Sequence, residues 1–203
     1  LQPPKAIPVE EGVRPRVHGK FIFVGDEKLY IRGVTYGPFR PDEQGCEYHH
    51  PQQVEADFAQ MREHGINAVR VYTVPPRWLL DIAQRHDLRV MVGLPWEEHV
   101  TFLDSSKIGR DIVKRVREAT RACTGHPALL CFTIGNEIPA SIVRWHGNRR
   151  IEAFLKRLYD TVKAEDPDAL VTYVNFPTTE YLELPFVDFV SYNVYLETRE
   201  KLE

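Results

Sequence analysis

No stretch of Lys and Arg in this 203-residue sequence is dense enough to follow a phosphate backbone, and the net charge is −3. Nucleic acid is thereby excluded as a partner. No apolar run approaches the ~20 residues that cross a bilayer, so the chain carries no membrane segment. Only three cysteines occur, Cys46, Cys123 and Cys131, without a CxxC spacing. That excludes a disulfide framework and a zinc site; Cys131, in an apolar run, reads as a small core residue. GxGxxG and the Walker sequence are absent, which removes dinucleotide and P-loop chemistry. GxSxG and HExxH are absent too, and no Lys sits at a strand end for a Schiff base. His49 and His50 with Glu47 read as a solvated loop rather than a metal cluster. The start, Leu-Gln-Pro-Pro, has neither a Met nor an apolar signal core and reads as a boundary or processed end. A cytoplasmic location is favoured over an extracytoplasmic one.

What is present is an ordinary globular composition, 43% apolar and 27% charged, long enough for one sizeable core. Residues 1–18 are rich in Pro and charge and read as an arm; the domain proper is expected over 19–203. A hairpin is predicted from Lys20–Val24 and Lys28–Arg32 about Gly25-Asp26. Its second strand runs into Gly33–Pro38, the first of a series. Arg40–Tyr48 is a loop, after which strand and helix alternate. Helices are predicted at His50–His64, Pro76–His86, Ser105–Cys123 and Arg149–Glu165, each with an apolar stripe, the last capped by Asn148. Strands are predicted at Asn67–Thr73, Leu88–Leu94, Ala128–Ile134, Leu170–Asn175 and Val187–Val194. Glu180–Leu184 is at most a helical turn, and Thr198–Glu203 reads as the opening of a further helix.

Six strands joined by crossovers wind right-handed, into either a doubly wound sheet or most of a (β/α)₈ barrel. Polar and aromatic residues recur at the strand C-termini: Tyr36, Arg70, Trp96, Glu137, Asn175 and Tyr195. That pattern is a barrel's, whose active sites lie on that face. The densest signal is Ala128-Leu-Leu-Cys-Phe-Thr-Ile-Gly-Asn-Glu-Ile-Pro139. A buried strand stops there on Gly135, which lets the backbone turn, and delivers Asn136 and Glu137. A carboxyl beside an amide suits a general acid next to a hydroxyl-recognising group; the plain alternative is a helix cap and a solvated Glu. Trp96, Trp145 and Tyr195 are candidates for the surroundings that would keep Glu137 protonated. Glu97 and Glu98 read as loop charges, and Asp188 as a structural start to the last strand.

Four motifs in order resemble the retaining glycoside hydrolases of clan A, most closely the catalytic (β/α)₈ barrel domain of family 2. They are Arg32-Gly-Val-Thr35, with Thr35 where the family has Asn, Gly65-Ile-Asn-Ala-Val-Arg70, Gly135-Asn136-Glu137 and Ser191-Tyr-Asn-Val-Tyr195. The resemblance runs from Gly19 to the C-terminus. It implies a TIM-type barrel, incomplete here after about six βα units, with strands seven and eight not included. It also implies Glu137 as acid/base, Asn136 bonding the sugar 2-hydroxyl, and Arg70 orienting a nucleophilic carboxylate. That nucleophile belongs at the end of strand seven, so this chain alone is expected to lack it; Glu197 lies in the wrong loop to replace it. Tyr36, Trp96, Asn193 and Tyr195 are the candidate sugar-binding residues, and Tyr192 a further stacking candidate. The implied partner is a carbohydrate, with the remaining barrel segment or a second copy as a possible companion for the exposed sheet edges. No metal or organic cofactor is implied. Two rival readings stand beside hydrolysis: transglycosylation to a sugar acceptor, and a non-catalytic carbohydrate-binding or interaction barrel within a larger protein.

Overall fold

A computed structural model describes residues 7–196, 198 and 200. Six strands form one parallel sheet: β4 (Gly33–Thr35), β5 (Ala68–Val71), β6 (Arg89–Gly93), β7 (Leu129–Asn136), β8 (Val171–Asn175) and β9 (Ser191–Tyr192). Their spatial order is their chain order. A doubly wound sheet reverses direction at a switch point; this one never does. It is singly wound and forms most of the wall of an α/β barrel. The expected fold class is thus the observed one.

Why these segments are strands follows from what they face. Val69 and Val71, Val90 and Val92, Phe132 and Ile134, and Val171 and Tyr173 are buried against the helices. Residues of opposite parity, such as Arg70, Met91 and Ser191, line the concave side. The helices are α1 (Pro51–Glu63), α2 (Arg77–Arg85), α3 (Ser106–Cys123), α4 (Ala140–His146) and α5 (Asn148–Glu165). Val54 and Phe58 anchor α1, Ile112 and Val116 anchor α3, and Leu155, Leu158 and Val162 anchor α5. The side chains of His50 and Ser105 cap α1 and α3 at their first free amides.

Several expectations shift. The N-terminal arm is partly built into the fold: β1 (Pro15–His18) pairs antiparallel with β2 (Phe21–Val24), which pairs with β3 (Glu27–Lys28). The second hairpin strand is therefore two residues long, because Leu29 already turns inward to pack on Ala68, Leu130 and Leu170. Asn148 does not cap α5; it is the first helical residue, and Gly147 holds the cap position at φ 81°. Helix α4 was not expected, since seven residues are too few to show a stripe. The last strand is only Ser191–Tyr192, although Asp188 N–H and Asn193 N–H still bond to β8 residues on either side of it. Pro177–Thr179 forms a 3₁₀ turn ahead of the expected one. The helix expected from Thr198 falls largely outside the described residues, as does Glu197.

The strand N-termini make the floor. Val24 and Leu29 of the hairpin segment pack there with Ala68, Leu130 and Leu170. Arg89 begins β6 on the same side, 1% exposed, and its guanidinium donates to the carbonyls of Ile7 (2.9 Å) and Pro8 (2.8 Å). Burial lowers its pKa. The carbonyls belong to half-buried Ile7 and exposed Pro8, so removing the guanidinium loses two charge-assisted hydrogen bonds and empties a buried site. Arg89→Ala should therefore shift the urea midpoint down markedly, with Arg89→Lys, able to serve one carbonyl well, falling between it and wild type.

Candidate active site

β7 is eight residues long and outlasts both neighbours, which have five each. Its final peptide groups must find partners elsewhere, because an unpaired buried backbone group costs as much as a lost hydrogen bond. The loop after β6 supplies them from side chains. Trp96 Nε1 donates to the Ile134 carbonyl at 2.9 Å, and Glu98 Oε1 accepts from Asn136 N–H at 2.7 Å. On the other side Glu137 N–H donates to the Val174 carbonyl at 2.9 Å. The ladder to β8 slips in register between Thr133 and Asn136.

Gly135 is not the residue that turns the chain. A Cβ there would lie 3.2 Å from Glu98 Oε1, from Trp96 and from Tyr173, so glycine is needed for close packing. The turn falls on Glu137 itself, whose φ of 52° is left-handed. A non-glycine residue there costs roughly 1–2 kcal/mol.

Three residues from three strand ends, Arg70 in β5, Asn136 in β7 and Asn193 just past β9, meet here. Arg70 Nη2 donates to Asn136 Oδ1 at 2.6 Å and its Nη1 to Asn193 Oδ1 at 3.0 Å. Asn193 Nδ2 closes the triangle on Asn136 Oδ1 at 3.0 Å. Since a guanidinium only donates, it fixes the Asn136 amide with its oxygen inward and its NH₂ outward. The guanidinium also lies over the Tyr72 ring, 4.5 Å from its centroid. Among the described residues Arg70 makes no salt bridge. Tyr195 Oη donates to Glu137 Oε1 at 3.0 Å, and that bond raises the phenol pKa. The Tyr195 ring is 65% exposed and packs beside Phe176. Arg70, Asn136, Glu137, Asn193 and Tyr195 are thus brought together.

Other candidates lie elsewhere. Tyr36 is 5% exposed, its hydroxyl given to Asp57 and its ring set edge-on to Phe39 and Phe58. It has no face for a sugar. Trp96, 7% exposed, packs edge-on to Phe102 and Phe154 and borders the pocket lined by Arg70, Tyr72 and Asn136. Neither can stack on a ring as expected. Trp145 is 67% exposed and donates to Asp104, so it gives Glu137 no apolar wall. Asn175 is buried and ties its own loop through Phe176 N–H and Thr179.

The residue missed was Glu98. Its neighbour Glu97 is a loop charge paired with Arg115. Glu98 instead turns inward, and burial pushes its carboxyl up to about 7, Glu137 adding to the effect while Arg70 and the Asn136 amide oppose it. The sequence signal was faint: a Glu two residues after a strand-end Pro-Trp. No group of three or more potential metal ligands clusters among the described residues.

Two outcomes follow. Below pH about 4.5 Glu98 holds its proton in folded and unfolded chains alike. Between 4.5 and 7 the unfolded chain releases a proton that the folded chain keeps, so stability falls as pH rises through that window. Glu98→Gln should remove that fall, worth at most about 3 kcal/mol, when unfolding free energy is measured against pH. Glu137→Gly should relieve the left-handed backbone and gain about 1 kcal/mol in the same assay.

Comparison with known proteins agrees with this geometry. Residues 16–203 match the profile described as "Glycosyl hydrolases family 2, TIM barrel domain". Among solved structures, β-glucuronidase 2 of Bacteroides uniformis superposes with a TM-score of 0.70 at 20% identity, over 87% of this chain and 22% of that one. The β-glucuronidase of Ruminococcus gnavus does so at 0.69 and 16% identity, over 90% of this chain and 32% of that one. A curated relative, the 1,3-beta-glucanosyltransferase gel1 of Aspergillus fumigatus, is 34% identical over 83 residues, 40% of this chain and 17% of that protein. The chain spans no more than about a third of these relatives. A parallel barrel wall in chain order, the Gly135-Asn136-Glu137 strand end and the profile match agree: the chain belongs to the TIM barrel domain of the family 2 glycosyl hydrolases.

Proposed function

We propose that this domain hydrolyses O-glycosidic bonds of an oligo- or polysaccharide by double displacement, with Glu137 as acid/base. The observation that carries this reading is the strand end of β7. It presents a carboxyl held at a fixed angle beside an amide whose NH₂ points out. Glu137 delivers its proton to the leaving oxygen as the glycosidic bond breaks and a carboxylate attacks the anomeric carbon. It then takes a proton from the water that releases the sugar. On this reading the attacking carboxylate comes from a strand following β9, as the resemblance to family 2 implies. Asn136 presents its NH₂ to the 2-hydroxyl oxygen and so helps to hold the sugar ring in place. Tyr195 donates to Glu137 in its ionised form, which steadies the charge left after proton transfer. Arg70 holds the Asn136 amide oriented and adds positive charge at the mouth, where an anionic nucleophile is favoured.

A second reading of the same site is transfer to a sugar hydroxyl in place of water; the glucanosyltransferase relative, matched over 40% of this chain, lends it slight support. Only the second acceptor changes. The outer edges of β4 and β9 have no strand partner among the described residues. Completion of the wall by further strands of a longer polypeptide or by a second copy fits this reading, since open edges promote association.

Glu137→Gln in the full-length protein tests the role. On substrates with poor leaving groups turnover should fall roughly 10²–10⁴-fold. Activated aryl glycosides, whose leaving group needs no proton, should lose far less in the first step. Equal small losses on both would remove Glu137 from the acid role.

A further inference from the structure

We infer that Glu98 is a positioning residue for the acid/base: its carboxyl grips the Asn136 amide and so sets the direction in which Glu137 leaves β7. This rests on the reading of Glu137 given above. Three observations carry it. The Asn136 N–H meets Glu98 Oε1 at 2.7 Å, where β6 has already ended and no strand can serve it. The Glu98 carboxyl sits against Gly135, at 3.2 Å from where a Cβ would be, beside Trp96 and Tyr173, which share that space at the same distance. The carboxyl thus occupies the space that a side chain at Gly135 would take. Among the described residues, the Glu137 side chain has one hydrogen-bond partner, Tyr195, which is largely exposed. The peptide before it is thus the firm point from which its side chain is aimed.

Glu97 shows the contrast, since it reaches out to Arg115 on α3 as a surface charge would. Glu98 has no salt-bridge partner among the described residues and is turned toward the peptide of the catalytic strand end. A carboxyl oxygen accepts an N–H whether or not the group carries its proton. The grip therefore needs an acceptor rather than a charge, and an amide of the same length can replace it. Positioning of this kind acts on the reacting geometry and leaves ground-state binding alone.

The experiment compares Glu98→Met with Glu98→Gln in the full-length protein, using Glu98→Leu should the Met variant fail to fold. Met and Leu fill space without an acceptor; Gln restores one. On a poor leaving group Glu98→Met should lower kcat roughly 10²-fold, the scale of a 1 Å misplacement. KM should stay within about threefold, and Glu98→Gln should recover most of the loss. Hydrogen exchange at the Asn136 amide gives a readout that needs no turnover: Glu98→Met should speed it and Glu98→Gln should slow it again. Unchanged exchange and unchanged kcat in Glu98→Met would overturn the positioning role, as would a Gln variant as impaired as Met. If the wild-type protein shows no glycosidase or transferase activity, the functional reading fails, and the exchange data alone then decide whether Glu98 holds the strand end.

Discussion

The mouth of this barrel depends on how β7 ends. A strand that runs past its neighbours leaves peptide groups without a ladder, and buried peptide groups demand partners. Here an indole and a carboxyl from one short loop stand in for the missing length of β6, while β8 still serves the far side. That arrangement requires Gly135 bare so that three side chains can close on it, and it is continuous with the left-handed turn at Glu137. The Arg70 triangle is then laid over a strand end already fixed. A donor-only cation between two amide oxygens leaves one orientation for the Asn136 side chain.

Much of the wall was legible in the residues. Apolar runs such as Leu129–Ile134 need two covered faces, which strands in a parallel sheet have; the stripe of α5 survives whole, while that of α3 starts at Ile112 because Ile108 lies exposed. The Gly135-Asn136-Glu137, Arg70 and Asn193 positions were legible for a related reason: residues at successive strand ends converge whenever the sheet is wound in order. What was not legible is direction at the last residue. Tyr36 and Trp96 stand at strand ends as Arg70 does, but each turns outward into the helical layer, where Phe58 and Phe154 accept its ring. Alternation cannot report this once a strand has stopped alternating. Glu98 escaped for the opposite reason. Its sequence context is that of a surface charge, and only the emptiness at Gly135, three dozen residues away in the chain, gives it somewhere to go.

The packed floor and the candidate site lie at opposite ends. Arg89 and the hairpin secure the strand N-termini, while the strained backbone at Glu137 and the half-buried carboxyl at Glu98 sit at the C-terminal ends. Both of the latter work against folding: one through an unfavourable backbone conformation, the other through desolvation. Strain of this sort persists only where the surroundings over-determine it, and the β7–β8 ladder with the Trp96 indole provides that. A floor held independently allows the rim to carry such costs without loosening the wall.

The floor also decides which end is free to change. Val24, Leu29 and the Arg89 guanidinium cover the strand N-termini, so side chains there are committed to packing and to backbone carbonyls. At the β7 rim Tyr195 stands largely exposed beside Glu137. A substitution at the rim can therefore alter what the mouth presents while the wall stays as it is, whereas one at the floor is felt beneath several strands at once.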